Sequence, residues 1–168
     1  MQSESARMSS AAEARFRVQA PNSRPRAITV VACDAVSEAV VRKLAGEGWA
    51  HATFLTAASA RPGDDRSPAP DDALADLADH ARNLDDAVET ADLMIMVAGP
   101  GGMAHFAPRI GEACGLRRVM TTGFVVGVAA ASDAELSRTL AQLRPWSLMV
   151  VLANNDDYIG DMMTALRA

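Results

Sequence analysis

Five short apolar runs punctuate the chain, and amphipathic stretches separate them. AITVVAC, residues 27–33, is β-branched and apolar and predicts a strand buried on both faces. Residues 34–48 place Val36, Ala39, Val40 and Leu44 at helical spacing, with Asp34 as N-cap and Gly46 or Gly48 as the stop. A second strand is predicted over 50–58 and a polar loop over 61–72. Leu74, Leu77, Ala81, Leu84 and Val88 then share one face of one or two helices. DLMIMVAG, residues 92–99, carries the clearest signature of a central strand. It leads through Pro100, Gly101 and Gly102 to a short helix, FAPRIGEACG, which Gly115 should end. The rest predicts a strand over 117–126 and a helix over 132–144 opened by a Ser132/Glu135 capping box. A strand over 147–153 and an amphipathic helix over 156–168 follow.

Strands alternating with helices imply an α/β fold, a three-layer sandwich with a mostly parallel, Rossmann-like sheet. Right-handed crossovers bring the strand-to-helix loops to one edge of such a sheet, and ligands sit beyond the carboxyl ends of its strands. Those ends are expected at Cys33-Asp34, Ala57-Ala58, Gly99–Gly102, Gly123–Gly127 and Asn154–Asp157. Residues 1–26 are rich in Ser, Ala and Arg, with Pro21 and Pro25 near their end. They read as a disordered tail ahead of a single domain over 27–168. A transit peptide is the alternative, and Glu4 and Glu13 count against it.

Composition narrows the core and the partners. Aromatic residues make up 4% of the chain against 49% apolar, so Ala, Val, Leu and Met must fill the interior. A net charge of −5 and a pI near 5.1 favour neither nucleic acid nor an anionic membrane. No apolar run approaches the roughly 18 residues of a membrane span, and no signal-peptide core opens the chain. Two cysteines, Cys33 and Cys114, make no disulfide framework, and no CxxC or His/Cys cluster points to a metal. The expected setting is therefore the reducing cytoplasm, with no metal cofactor.

Each candidate chemical group has a plain structural alternative. Gly99, Gly101 and Gly102 could offer N–H groups to an anion at a helix N-terminus, or simply make a tight turn that needs φ > 0. Pro100 removes one donor from that loop. Cys33, where the first strand meets its helix, is a candidate reactive thiolate or a small core residue. Cys114 sits at the wrong end of its helix for activation. His105 in the loop is a candidate acid/base or ligand contact, although no Ser/His/Asp set accompanies it. Asn154, Asn155, Asp156 and Asp157 could bind a ribose or a metal, or cap the last helix, and capping is the favoured reading.

The stretch ADLMIMVAGPGGMAHFAPRIGEACGLRRVMTTGFVV resembles the nucleotide-binding domain of the tubulin/FtsZ family. In that family a strand ends in AG, a GGGTGTG loop follows, then AAP on a helix and a valine-rich strand. AELSRTLAQLRPWSLMVVLANNDDYI is similar to the family's later helix, strand and Asn-Asp turn. ITVVACDAVSEAVVRKLAGEG can be laid on its first strand and helix, so the resemblance covers about residues 27–160. The departures fall on the chemistry. The family's first loop is glycine-rich, whereas this chain has Ala32 to Glu38 with a Cβ at every position and Asp34 facing the phosphate with like charge. Met103 to Phe106 replace the second half of the signature loop. The family's ribose-side Glu and Arg are absent beyond Phe124, and no NxDxxD synergy loop follows.

The resemblance then implies a non-hydrolysing FtsZ-like domain acting through self-association or a protein partner. It leaves open a nucleotide or other anion at Gly99–Phe106, and makes GTPase activity an unexpected outcome. Some of Tyr158, Ile159, Met162, Met163 and Leu166 on the last helix are expected to pack on the chain's own sheet, and the rest, without a second domain to cover them, to make a homodimer or partner contact. The alternative is a small Rossmann-like enzyme that uses Cys33, His105 or the Asn154–Asp157 turn on another substrate.

Overall fold

The computed structural model describes residues 24–56 and 84–168. The tail before residue 24, the polar loop over 61–72 and the helical face of Leu74, Leu77 and Ala81 lie outside the described residues. The elements run β1 Ile28–Ala32, α1 Ala35–Ala45 and β2 Ala52–Thr56, then α2 over 84–90. They continue β3 Leu93–Ala98, α3 Ala107–Arg117, β4 Met120–Val126, α4 Asp133–Leu143, β5 Met149–Ala153 and α5 Asp157–Ala165. Single 3-10 turns at Val128–Ala130 and Arg144–Trp146 precede α4 and β5.

All five described strands are parallel, in the order β2-β1-β3-β4-β5. One register line runs Leu55, Val31, Met96, Gly123, Val150 across the sheet. Every position of β1 and β3 is buried, as their continuous apolar runs predict for strands covered on both faces. Alternate side chains feed two cores. Val30, Ile95, Phe124 and their neighbours pack against Val41 and Leu44 of α1 and Ile159 and Met163 of α5. Val31, Met94, Met96 and Val125 pack on the opposite face against Val88 of α2, Ile110 and Cys114 of α3 and Leu143 of α4. Fully burying a side chain such as Ile95 or Phe124 contributes about 1.5–3 kcal/mol. The architecture is thus a three-layer α/β sandwich with a Rossmann-like parallel sheet.

The chain steps one way from β1 to β2 and the other way from β3 to β5. With right-handed crossovers this reversal puts α1 and α3 on opposite faces and parts the loops at the carboxyl ends of β1 and β3. Asp34 and Gly99 are the residues that flank that parting.

Three local expectations are corrected. The buried face of α1 is Ser37, Val41 and Leu44, whereas Val36 is 62% exposed. Ser37 shares a reciprocal capping box with Asp34, and this cap sets the helix phase. Helix α3 does not stop at Gly115. It continues to Arg117, and Arg118 takes the left-handed cap at φ 58°. The last helix packs on the sheet more completely than expected: Ile159 and Met163 are fully buried, and Met162 and Leu166 pack beside them. Only Tyr158 of that group is largely exposed, and even its ring meets Phe124 at a 5.9 Å centroid distance.

Candidate functional site at the sheet switch point

The glycine loop follows β3 because the strand's apolar run ends at Ala98 and Pro100 cannot continue it. Asp34 enters from β1 as the N-cap of α1. Its Oδ1 accepts the Ser37 N–H at 2.8 Å, and its Oδ2 accepts the Gly99 N–H at 2.8 Å. The Asp34 N–H donates to Ser37 Oγ at 3.2 Å, and that hydroxyl donates to Asp34 O at 3.0 Å. A carboxylate at this position is also favoured by the helix dipole.

The other loop donors are engaged as well. Gly101, at φ +72°, donates its N–H to the carbonyl of Glu135 at 3.2 Å. The Gly102 N–H closes a turn onto Gly99 O at 3.1 Å. From α4, the buried Thr139 hydroxyl donates to Gly99 O at 3.1 Å, and Gln142 Nε2 donates to Gly102 O at 3.3 Å. Gly101 therefore needs glycine for its backbone angle. Gly102 needs it for space, because a Cβ there would stand 2.0 Å from Asp34 Oδ2. The tight-turn reading of the loop holds at Gly101 and takes a different cause at Gly102.

A phosphate held by this loop would use the same N–H groups that Asp34, Glu135 and Gly99 already occupy. The Asp34 carboxylate does to Gly99 what a bound anion's oxygen would do. The sequence offers Asp34 as the N-cap of α1, but not the partner it takes across the switch point. Thr139 and Gln142 had no sequence signal beyond lying on α4.

Cys33 lies beneath this cap, buried, with its N–H donating to Val97 O at 2.8 Å. Burial, and then the Asp34 charge, push its thiol up to about 12, so it is protonated at neutral pH. Burial likewise raises the Cys114 thiol to about 11, with Arg117 opposing the rise. His105 stands exposed in the turn before α3, next to the exposed Met103.

The Asn154–Asp157 turn belongs elsewhere. No side-chain cap bond forms at the start of α5, against the favoured capping reading. Instead Asp156 Oδ2 accepts from Lys43 Nζ of α1 at 2.9 Å, and Asn155 Nδ2 donates to Asp157 Oδ2 at 2.9 Å. The Lys43 hydrogen bond holds the Asp156 carboxyl below its ordinary range, and the same bond raises Lys43. Lys43, Glu47, Trp49, Asp156 and Asp161 wall a cleft of about 240 Å³ between α1 and α5. No residue of the glycine loop lines it, so the sequence-predicted ligand set divides between two places. Among the described residues no group of three or more His, Cys, Asp or Glu side chains is arranged to hold a metal ion. No described helix is long and apolar enough to cross a membrane.

No protein-family model matches the chain, and no curated protein matches its sequence.

Proposed function

We propose that this chain is a non-hydrolysing relative of the tubulin/FtsZ nucleotide-binding domain that works through protein association and not through phosphate chemistry. The observation that carries this reading is the Asp34 clamp, in which the chain's own carboxylate takes the N–H of Gly99 and fills the space over Gly102. A nucleotide phosphate at Gly99–Phe106 would have to expel that carboxylate and then break the bonds of Gly101 and Gly102. Like charge and lost hydrogen bonds both oppose the exchange. An enzyme built on Cys33 has no comparable support, because the thiol is buried and protonated. Two free, buried thiols suit the reducing cytoplasm proposed as its setting.

The test is a thermal unfolding titration with GTP, GDP and inorganic phosphate, run beside a phosphate-release assay. The protein should show no ligand-dependent shift and no turnover. A ligand at a hundred times its Kd would add about 2.7 kcal/mol of stability. A shift of that order, or phosphate release proportional to protein concentration, would defeat the reading.

A further inference from the structure

We infer that β5 is the association edge of this protein, and that its occupant is the β5 of a second copy, paired antiparallel about a two-fold axis at Val150. The inference rests on the association reading above and gives it a surface.

Among the described residues β5 bonds to β4 on one side only, and it stands at the edge of the sheet. The Gly127 N–H donates to Ala153 O, so Ala153, Val151 and Met149 turn their backbone groups inward to β4, and alternation turns those of Val150 and Leu152 outward. Exposed apolar residues flank those groups: Leu148 is 78% exposed, Met149 51% and Leu152 47%. Natural sheet edges are usually blunted by charge or proline. Here no charged residue lies between Arg144 and Asp156. The opposite edge differs. On β2, Phe54 and Leu55 pack into the two cores, and the exposed position is Thr53.

Two features select a second copy as the occupant. The first is charge. An acidic chain meets its own copy most easily on a charge-free strip. Flanking β5, α4 carries Asp133 and Glu135 in its first turn and is followed by Arg144 at its C-cap. Antiparallel pairing sets each copy's acidic end of α4 towards the partner's Arg144 end. The second is register. An axis at Val150 sets Val150 opposite the partner's Val150 in a hydrogen-bonded pair. On the same face as Val150 it sets Leu148 against the partner's Leu152, so the two exposed leucines cover each other. Such an interface is isologous and closed.

Sedimentation of the full chain at micromolar concentration tests this, using the wild type, Leu148→Lys/Leu152→Lys and Val150→Cys. Both leucines are exposed, so their replacement leaves the fold intact. The wild type should sediment as two chains, and the double lysine variant should halve that mass. At a hydrogen-bonded pair on the axis the two Cα atoms lie about 5.5 Å apart, within disulfide range. Mild oxidation of Val150→Cys should therefore give a covalent dimer that reductant reverses. A monomeric wild type overturns the inference. So does a dimer that keeps its mass with both lysines present and whose Val150→Cys form does not cross-link; that result would move association to another face. Nucleotide turnover would defeat the earlier reading and leave the β5 pairing standing.

Discussion

Asp34 Oδ2 accepts the N–H of Gly99 at 2.8 Å across 65 residues of chain. Its other oxygen caps α1 through Ser37 at 2.8 Å. One carboxylate thus joins the turns that leave the two strands flanking the switch point.

Removing that carboxylate strips two donors of their partner. The N-cap loss costs about 1 kcal/mol, and the buried N–H of Gly99 left without an acceptor adds about 1–3 kcal/mol. Asp34→Ala should therefore lose about 2–4 kcal/mol in urea unfolding. Asp34→Asn can keep the cap through its carbonyl but turns an amide group towards Gly99, so its loss should be smaller. Equal stability of the alanine variant and the wild type would show that the clamp contributes nothing.

Gly102→Ala should be costly for the same reason. Its Cβ would meet Asp34 Oδ2 at 2.0 Å and Gly99 O at 2.9 Å. The second contact is backbone and cannot swing away. A loss of about 1–3 kcal/mol is expected from overpacking. Combined with Asp34→Ala, the first clash disappears and the second remains. The double variant should then be less destabilised than the sum of the two singles, by at least about 0.5 kcal/mol. Strict additivity would mean that the two residues do not meet.

What was legible in the sequence was local. The six buried positions of β3 follow from LMIMVA, and the Ser132/Glu135 capping box needs only neighbours three apart. The α/β alternation and the cap at Asp34 were readable for the same reason. The phase of α1 was not, because Ser37 is drawn inward by its bond to the cap, against the apolar preference of Val36. Gly115 misled because glycine commonly ends helices, yet here the chain turns at Arg118. The Asp34–Gly99 contact was hidden by its sequence separation. The sequence named Asp34 as an obstacle to phosphate, and tertiary structure supplied the N–H that it holds.

The Lys43–Asp156 pair should appear as a pH dependence. The folded carboxyl of Asp156 titrates below its ordinary value, chiefly through the Lys43 hydrogen bond. A depressed acid stabilises the fold above its unfolded pKa, near 3.9 for aspartate. That contribution is lost as pH falls from there through the folded value. Lys43 is raised, so its share is complete below its unfolded pKa and fades in alkali as pH climbs through the folded value. Lys43→Met should flatten both arms of the stability profile while leaving the neutral plateau little changed, since both side chains are partly in solvent. Molar salt should shrink the difference between the two proteins. An unchanged acid arm in the methionine variant would assign that arm to other carboxylates.

Two glycines of α3 should respond to alanine with opposite signs. In a helix interior, glycine is less favourable than alanine by about 1 kcal/mol. At Gly115 a Cβ would meet nothing within 4 Å, so Gly115→Ala should raise stability by about 0.5–1 kcal/mol. At Gly111 the same Cβ would stand 2.7 Å from Trp146 Cβ and 2.8 Å from Trp146 Cε3. Trp146 is anchored in the 3-10 turn between α4 and β5, and its Cβ cannot move without its backbone. Overpacking of about 1–3 kcal/mol then outweighs the helix gain, leaving Gly111→Ala net destabilised. Urea midpoints of the two variants against wild type decide the matter. A stabilised Gly111→Ala would mean that α3 does not press on Trp146, and that helix propensity alone governs both positions.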